Sequence, residues 1–158
     1  MKKVIKPEII RDKLGKNPLL TNLKVVISKM EIPGQWKMVD GRQVPVDMEM
    51  ERTSFTKMFS DSERRKDMIK LGNRAKDLLM WIMYEVDPNC DYLWLNKWRY
   101  MSESGISTYN TYNNALNELI EAGYIARCAR PANTFFINPH YFFNGNRIKC
   151  FPDHVVKR

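Results

Sequence analysis

The hydrophobic spacing of this chain changes period part-way along, and that change limits the fold more than any single motif. Up to about residue 60 the apolar positions recur every second residue. Val44, Val46, Met48 and Met50 alternate with Pro45, Asp47, Glu49 and Glu51. A period of two is the signature of a strand with one buried face. The β-branched run at residues 23–27 reads as another strand, and Trp36 to Val39 as a short one. Asp40-Gly41 suggests a hairpin loop and Pro33-Gly34 a turn. Pro45 cannot donate to a ladder, which puts its strand at an edge or at a strand start. The apolar face of this sheet is expected to be covered by its own partner strands, by the rest of the chain or by another subunit. The opening fifteen or so residues, with Lys2, Lys3, Lys6, Arg11 and Lys13, read as a mobile basic arm.

Beyond about residue 60 the period becomes helical. Ser60 or Ser62 is expected to cap a segment carrying Arg64, Arg65 and Lys66, a basic run that reads as a solvated face. Residues 74–86 form a strongly apolar helix, with Leu78, Leu79, Trp81, Ile82 and Val86 as core, and Asp87-Pro88-Asn89 ends it. Residues 92–95 read as a short strand. Asn96 is an N-cap for a brief helix that buries Tyr100 and Met101, and Gly105 marks the turn after it. Ser107 or Thr108 caps the next helix, which ends at Gly123, a natural C′ residue. Residues 124–128 and 133–137 are two strands around Arg130, Pro131 and Ala132, and His140 reads as a helix-start residue. Helix, short strand, helix, tight turn, helix, strand, loop, strand is the order of a winged helix-turn-helix. The expected fold class is therefore α+β. It has a C-terminal winged helix-turn-helix over residues 61–158 and an N-terminal β-hairpin or small antiparallel sheet extension, with its basic arm, over residues 1–60.

The helix after the tight turn has an unusual face. Asn110, Asn113, Asn114 and Asn117 fall at i, i+3, i+4 and i+7, while Tyr112, Ala115, Leu116 and Leu119 share the opposite side. Asparagine is a poor helix former, because its amide competes with the backbone. A solvated polar face is the plain reading. The sharper one is that an uncharged row of donors and acceptors reads base edges, since an Asn amide can bond adenine N6 and N7 together.

Composition narrows the partner. The 158 residues suffice for one domain and an extension, and 44% apolar content permits a packed core. A net charge of +8 favours a polyanion such as nucleic acid, or simply solubility, and charge alone does not choose between them. Three widely spaced cysteines, Cys90, Cys128 and Cys150, suit a reducing cytoplasm better than a disulfide framework. Cys150 and His154 have a finger-like spacing without a CxxC partner, so no metal is expected. The longest strongly apolar run, residues 78–83, is too short for a bilayer, so no membrane partner is expected. Two histidines, His140 and His154, cannot supply the His-x-His of a rolling-circle nuclease. There is no Gly-rich phosphate loop, no HExxH and no Gly-x-Ser-x-Gly. No catalytic residue and no cofactor is expected, and the chain reads as a binder rather than an enzyme.

Two stretches resemble known proteins. ALNELIEAGYIAR at residues 115–127 resembles the passage from recognition helix to wing in many winged-helix DNA binders. FFINPHYFFNG at residues 135–145 resembles the RepL-type replication proteins of bacterial plasmids, whose winged-helix relatives occur in phages. The resemblance spans roughly residues 71–147. The chain departs from that pattern at the start of the helix, where Tyr109 and Asn110 stand in place of basic or glutamine residues, and at the wing tip, which has proline and alanine instead of glycines.

This resemblance implies sequence-specific double-stranded DNA binding in replication initiation, in the cytoplasm of a bacterial host. A plasmid or phage transcription regulator is the alternative, as is a structural or adaptor protein that binds other proteins. The recognition helix is expected at about residues 108–122 in the major groove and the wing at residues 124–137 on the backbone or minor groove. Tyr109, Asn110, Asn113 and Asn114 are the base-reading candidates, with Asn117 nearer the phosphate edge. Lys97 and Arg99 on the preceding helix are expected at phosphates, Arg127 and Arg130 at phosphate or minor groove, and Asn133 at a turn or a contact. Trp94 and Trp98 are expected to pack rather than stack on bases. A homodimer through the N-terminal β region is the expected self-association.

Overall fold

A computed structural model describes residues 5–51 and 61–157. Lys2, Lys3 and Ser60, named above, lie outside them. The chain is α+β, with two three-stranded sheets and a helical core.

Strand β1 (Val25–Val39) and strand β2 (Arg42–Glu51) form a long antiparallel hairpin. Asp40 and Gly41 close it in two residues, both at positive φ (49° and 75°), which matches the right-handed twist of the strands. The separate strands expected at residues 23–27 and 36–39 are one strand. Pro33-Gly34 does not reverse the chain. The register passes from Glu31 opposite Asp47 to Trp36 opposite Pro45, leaving residues 32–35 bulged against Val46. Pro45 sits on the sheet edge, since the strand order is β2-β1-β6. That third strand, β6 (Val155–Lys157), runs parallel to the root of β1, with Val155 opposite Val25. Val25 and Ile27 are buried at this root, and beyond them the hairpin leaves the body of the molecule.

Helix α1 (Ser62–Lys70) is capped by Asp61, whose carboxylate accepts from the Arg64 amide at 2.9 Å. Arg64 departs from the solvated face expected of it. Its side chain is buried, with Nη1 on Asp61 at 2.5 Å and Nη2 at 3.3 Å from His140 Nδ1. Helix α2 (Asn73–Glu85) then gives Ala75, Leu78, Leu79 and Ile82 to the core. Strand β3 (Tyr92–Trp94) leads to Asn96, whose side chain caps helix α3 (Lys97–Ser104) by accepting from the Arg99 amide at 3.1 Å. Gly105 ends α3 at φ 70°, a left-handed conformation with low cost only for glycine.

Helix α4 (Tyr109–Glu121) packs Tyr112, Ala115, Leu116 and Leu119 against α2. It stops at a six-to-one bond, Tyr124 N to Leu119 O at 3.0 Å, with Gly123 at φ 78°. Strand β4 (Ile125–Arg127) and strand β5 (Thr134–Ile137) follow, and the order of the second sheet is β3-β5-β4.

All four residues of β5 are buried, so both of its faces are covered. Phe135 and Ile137 belong to the helical core. On the other side the Arg11 guanidinium lies 5.3 Å over the Phe136 ring. Arg11 also donates to both carboxylate oxygens of Asp91, at 2.8 and 3.0 Å, and buried Asn17 donates to Asp91 and to the Ile137 carbonyl. Arg11 is therefore a strap on the second sheet and not part of a mobile arm.

The Ile137-Asn138-Pro139 step has a clear structural role. The Asn138 side chain donates to Gly123 O at 2.7 Å, and its amide bonds Tyr124 O, tying the exit of β5 to the exit of α4. Its side-chain oxygen accepts from the His140 amide, so His140 sits in a turn rather than starting a helix. A short helix α5 (Arg147–Cys150) follows. It buries Arg147, which donates to Pro139 O at 2.7 Å. Among the described residues no helix is long and apolar enough to cross a membrane.

Candidate nucleic-acid interface

Helix α4 is held by its apolar side and by one polar clasp. Glu118 accepts the Gly72 amide at 2.7 Å, joining the exit end of α4 to the start of α2. The opposite side is left outward. Asn110, Asn114 and Asn117 are exposed and Asn113 is half-buried. Among the described residues none of these four side chains makes a hydrogen bond within the chain. The helix carries no lysine or arginine, and its carboxylates, Glu118 and Glu121, lie towards its exit. Its first turn is thus electrically neutral apart from the helix dipole, whose positive end lies there. Thr108 precedes that turn without capping it, because its hydroxyl meets the Thr111 hydroxyl at 2.6 Å instead.

The neighbouring cations divide into two kinds. Lys97 Nζ stands 3.2 Å from the Tyr109 hydroxyl, 4.8 Å over the Tyr109 ring and 5.0 Å over the Trp98 ring. It therefore holds the start of α3 to the start of α4, with its charge beside the amide row. Arg99 is engaged differently. Its guanidinium donates to Glu103 at 2.8 Å and to Glu85 at 3.1 Å, and it covers Trp81. The hydrogen bond from Trp81 and then the Arg99 guanidinium hold the Glu103 carboxyl below its ordinary range, while Glu103 and Glu85 hold the Arg99 guanidinium above its own. Two carboxylates against one cation leave this corner without surplus positive charge, so Arg99 is less available to a phosphate than Lys97.

At the end of β4 and on the loop after it, Arg127 and Arg130 are exposed and form no ion pair among the described residues. Arg127 lies 5.5 Å over the Phe135 ring. Asn133 turns the chain at φ 59°, its carbonyl accepting the Leu95 amide at 2.8 Å and its side chain outward. Trp94 is half-buried, as packing requires, but Trp98 is 57% exposed. Spacing held a signal for this: Trp98 precedes buried Tyr100 by two residues, about 200° round a helix.

The three cysteines are free. Among the described residues no three or more of His, Cys, Asp and Glu gather as a metal site. No protein-family model, curated protein or solved structure matches this chain.

Proposed function

We propose that the segment from α2 to β5 is a winged helix-turn-helix and that α4 is its recognition helix, read into the major groove of double-stranded DNA. The order of elements and the β3-β5-β4 sheet support this assignment. The observation that carries it is the outward, unbonded and uncharged row of Asn110, Asn113, Asn114 and Asn117 on a helix whose other side is core. Amides choose the sequence, while Lys97, Arg127 and Arg130 anchor phosphates on either side. Tyr109 lies at the entry of the helix, within reach of a phosphate or a thymine methyl. The protein acts by occupancy, in the cytoplasm of a bacterial host. The resemblance of residues 135–145 to RepL-type proteins favours plasmid or phage replication initiation over transcription control.

Selection from a random duplex library tests this reading. Enrichment of repeated sites supports initiation, and one palindrome near a promoter supports regulation. On the enriched site, Asn110→Ala or Asn113→Ala should cost about 1–3 kcal/mol and leave binding to random duplex nearly unchanged. Equal losses on both DNAs remove the base-reading role. Absence of any DNA binding, together with a retained protein partner, returns the fold to an adaptor.

The hairpin supplies a second part of the proposal, a homodimer. Val39, Val44, Val46, Met30 and Met48 share one of its faces by register, and among the described residues Val39, Met30 and Met48 stay exposed while Val44 and Val46 are half-buried. Met30 and Met48 are 49% and 41% exposed. A second copy of the same face would bury them, as a symmetric interface requires.

A further inference from the structure

The exposed indole of Trp98 has no role in a purely duplex-reading helix. Phosphates are met by cations and base edges by amides, and neither needs a large ring held in water. Burying such a ring is ordinarily favourable, and here the chain leaves it out. Its surroundings are specific. Trp98 is the second residue of α3, next to Lys97, and Lys97 stands against both the Trp98 ring and the Tyr109 ring, at 5.0 and 4.8 Å. Tyr109 is 47% exposed and opens α4, immediately before Asn110. Two part-exposed aromatic faces, with a cation between them and amides beside them, match the elements by which proteins hold unpaired bases. Rings stack on the base, the cation meets its phosphate, and the amides bond its free edge. A base inside an intact duplex cannot stack on a side chain, because its neighbours cover both of its faces.

We propose that Trp98 and Tyr109, bridged by Lys97, form a stacking site for an unpaired base in DNA, next to the groove-reading face of α4. This rests on the reading of α4 as a DNA-binding helix and names a further element of its target, a locally opened or frayed duplex. Charge favours nucleic acid over a protein occupant, since Lys97, the ionised group that stands against both rings, is cationic.

The test uses the full chain and three probes at one salt concentration. They are a 30-base-pair duplex, the same duplex with a three-nucleotide central bubble carrying 2-aminopurine, and the corresponding single strand. Wild type should bind the bubble about 10-fold tighter than the closed duplex, within the range that one stacked base supplies, and should quench 2-aminopurine. Trp98→Ala should erase the preference and the quenching, leave closed-duplex affinity within about two-fold, and keep the circular dichroism of the wild type. Trp98→Phe should retain part of both. Equal wild-type affinity for bubble and closed duplex overturns the proposal, as does a Trp98→Ala loss that is the same on both. A change of sedimentation on Trp98→Ala without DNA also overturns it, by making the ring a protein contact. The Asn110→Ala comparison on closed duplex stays separate: base reading can fail there while the bubble preference survives, and the reverse.

Discussion

Asp91 shows how much a single buried carboxylate can organise. It accepts two bonds from Arg11 and one from Asn17, residues more than seventy positions away. Because Arg11 stays partly in solvent, the pair is worth less than a fully buried one. Asp91→Asn should lower stability by about 1.5–3 kcal/mol, the range for hydrogen bonds to a charged group. Urea denaturation reads this, and faster tryptic cutting at Lys13 or Lys16 would mark release of the strap. An unchanged midpoint would mean that the strap contributes nothing.

His140 allows a signed prediction. Burial, and then the Arg64 guanidinium, hold its pKa below the usual histidine range. The unfolded chain therefore takes up a proton at higher pH than the folded one. The contribution of neutral His140 is fully present above about pH 6.5 and is lost as pH falls from there through the lowered folded value. The urea midpoint should drop between pH 7.5 and 5.5, and His140→Gln should flatten that drop.

At the scale of elements, α4 is the best-determined piece. Its two faces follow from spacing, its entry is uncapped, and its exit is fixed three times, by Glu118 on Gly72, by Gly123 and by Asn138. With its exit pinned and its entry held to α3 through Lys97 and Tyr109, the helix would present its outward face to a groove without reorganising. The end of β4 and the loop after it lie on the same module and carry Arg127 and Arg130, which form no ion pair among the described residues. If Lys97, Arg127 and Arg130 each neutralise one phosphate, the slope of log affinity against log salt should be about −2.7 per protomer. Arg130→Ala should make that slope shallower by about 0.9 and weaken all sequences alike. A slope unaffected by Arg130→Ala would take the loop off the DNA.

At the scale of the whole molecule, the division at residue 60 is one of pattern and not of packing. The chain returns at its end to pair β6 with β1, and Leu23 and Val25 join the same core as α2 and α4. Only the outer hairpin stands apart. Its acidic residues Glu31, Asp47 and Glu49 share one face with Lys29, Trp36 and Met38, while Met30, Val39, Val44, Val46 and Met48 share the other with Lys37 and Arg42. A two-stranded ribbon is marginal by itself in water, so a cover from a second copy would stabilise it. Light scattering should show mass rising with concentration, and a Met30→Lys, Met48→Lys double variant should remain a monomer at all concentrations. A wild type that is strictly monomeric on and off DNA rejects the dimer.

Local pattern was enough for α1 to α4, the hairpin loop and the outward amide row, but not for the short helix α5. A 3.6 or 2.0 period, an Asn cap and a positive-φ glycine each act within a few residues, and the chemistry that sets them is written where they occur. Meetings between distant residues carry no such signal. Arg64 was legible as basic but not as buried, because what covers it is His140, in a turn far along the chain. Pro33-Gly34 suits a turn or a bulge equally, and the pairing of Trp36 with Pro45 decided for the bulge. Strand β6 is three residues long, too short for any period to show, and exists because β1 offers it an edge. The sequence by itself determined which faces are apolar and which are amide-bearing; only the tertiary structure decided which apolar face found a cover, since burial depends on contacts that sequence distance does not encode.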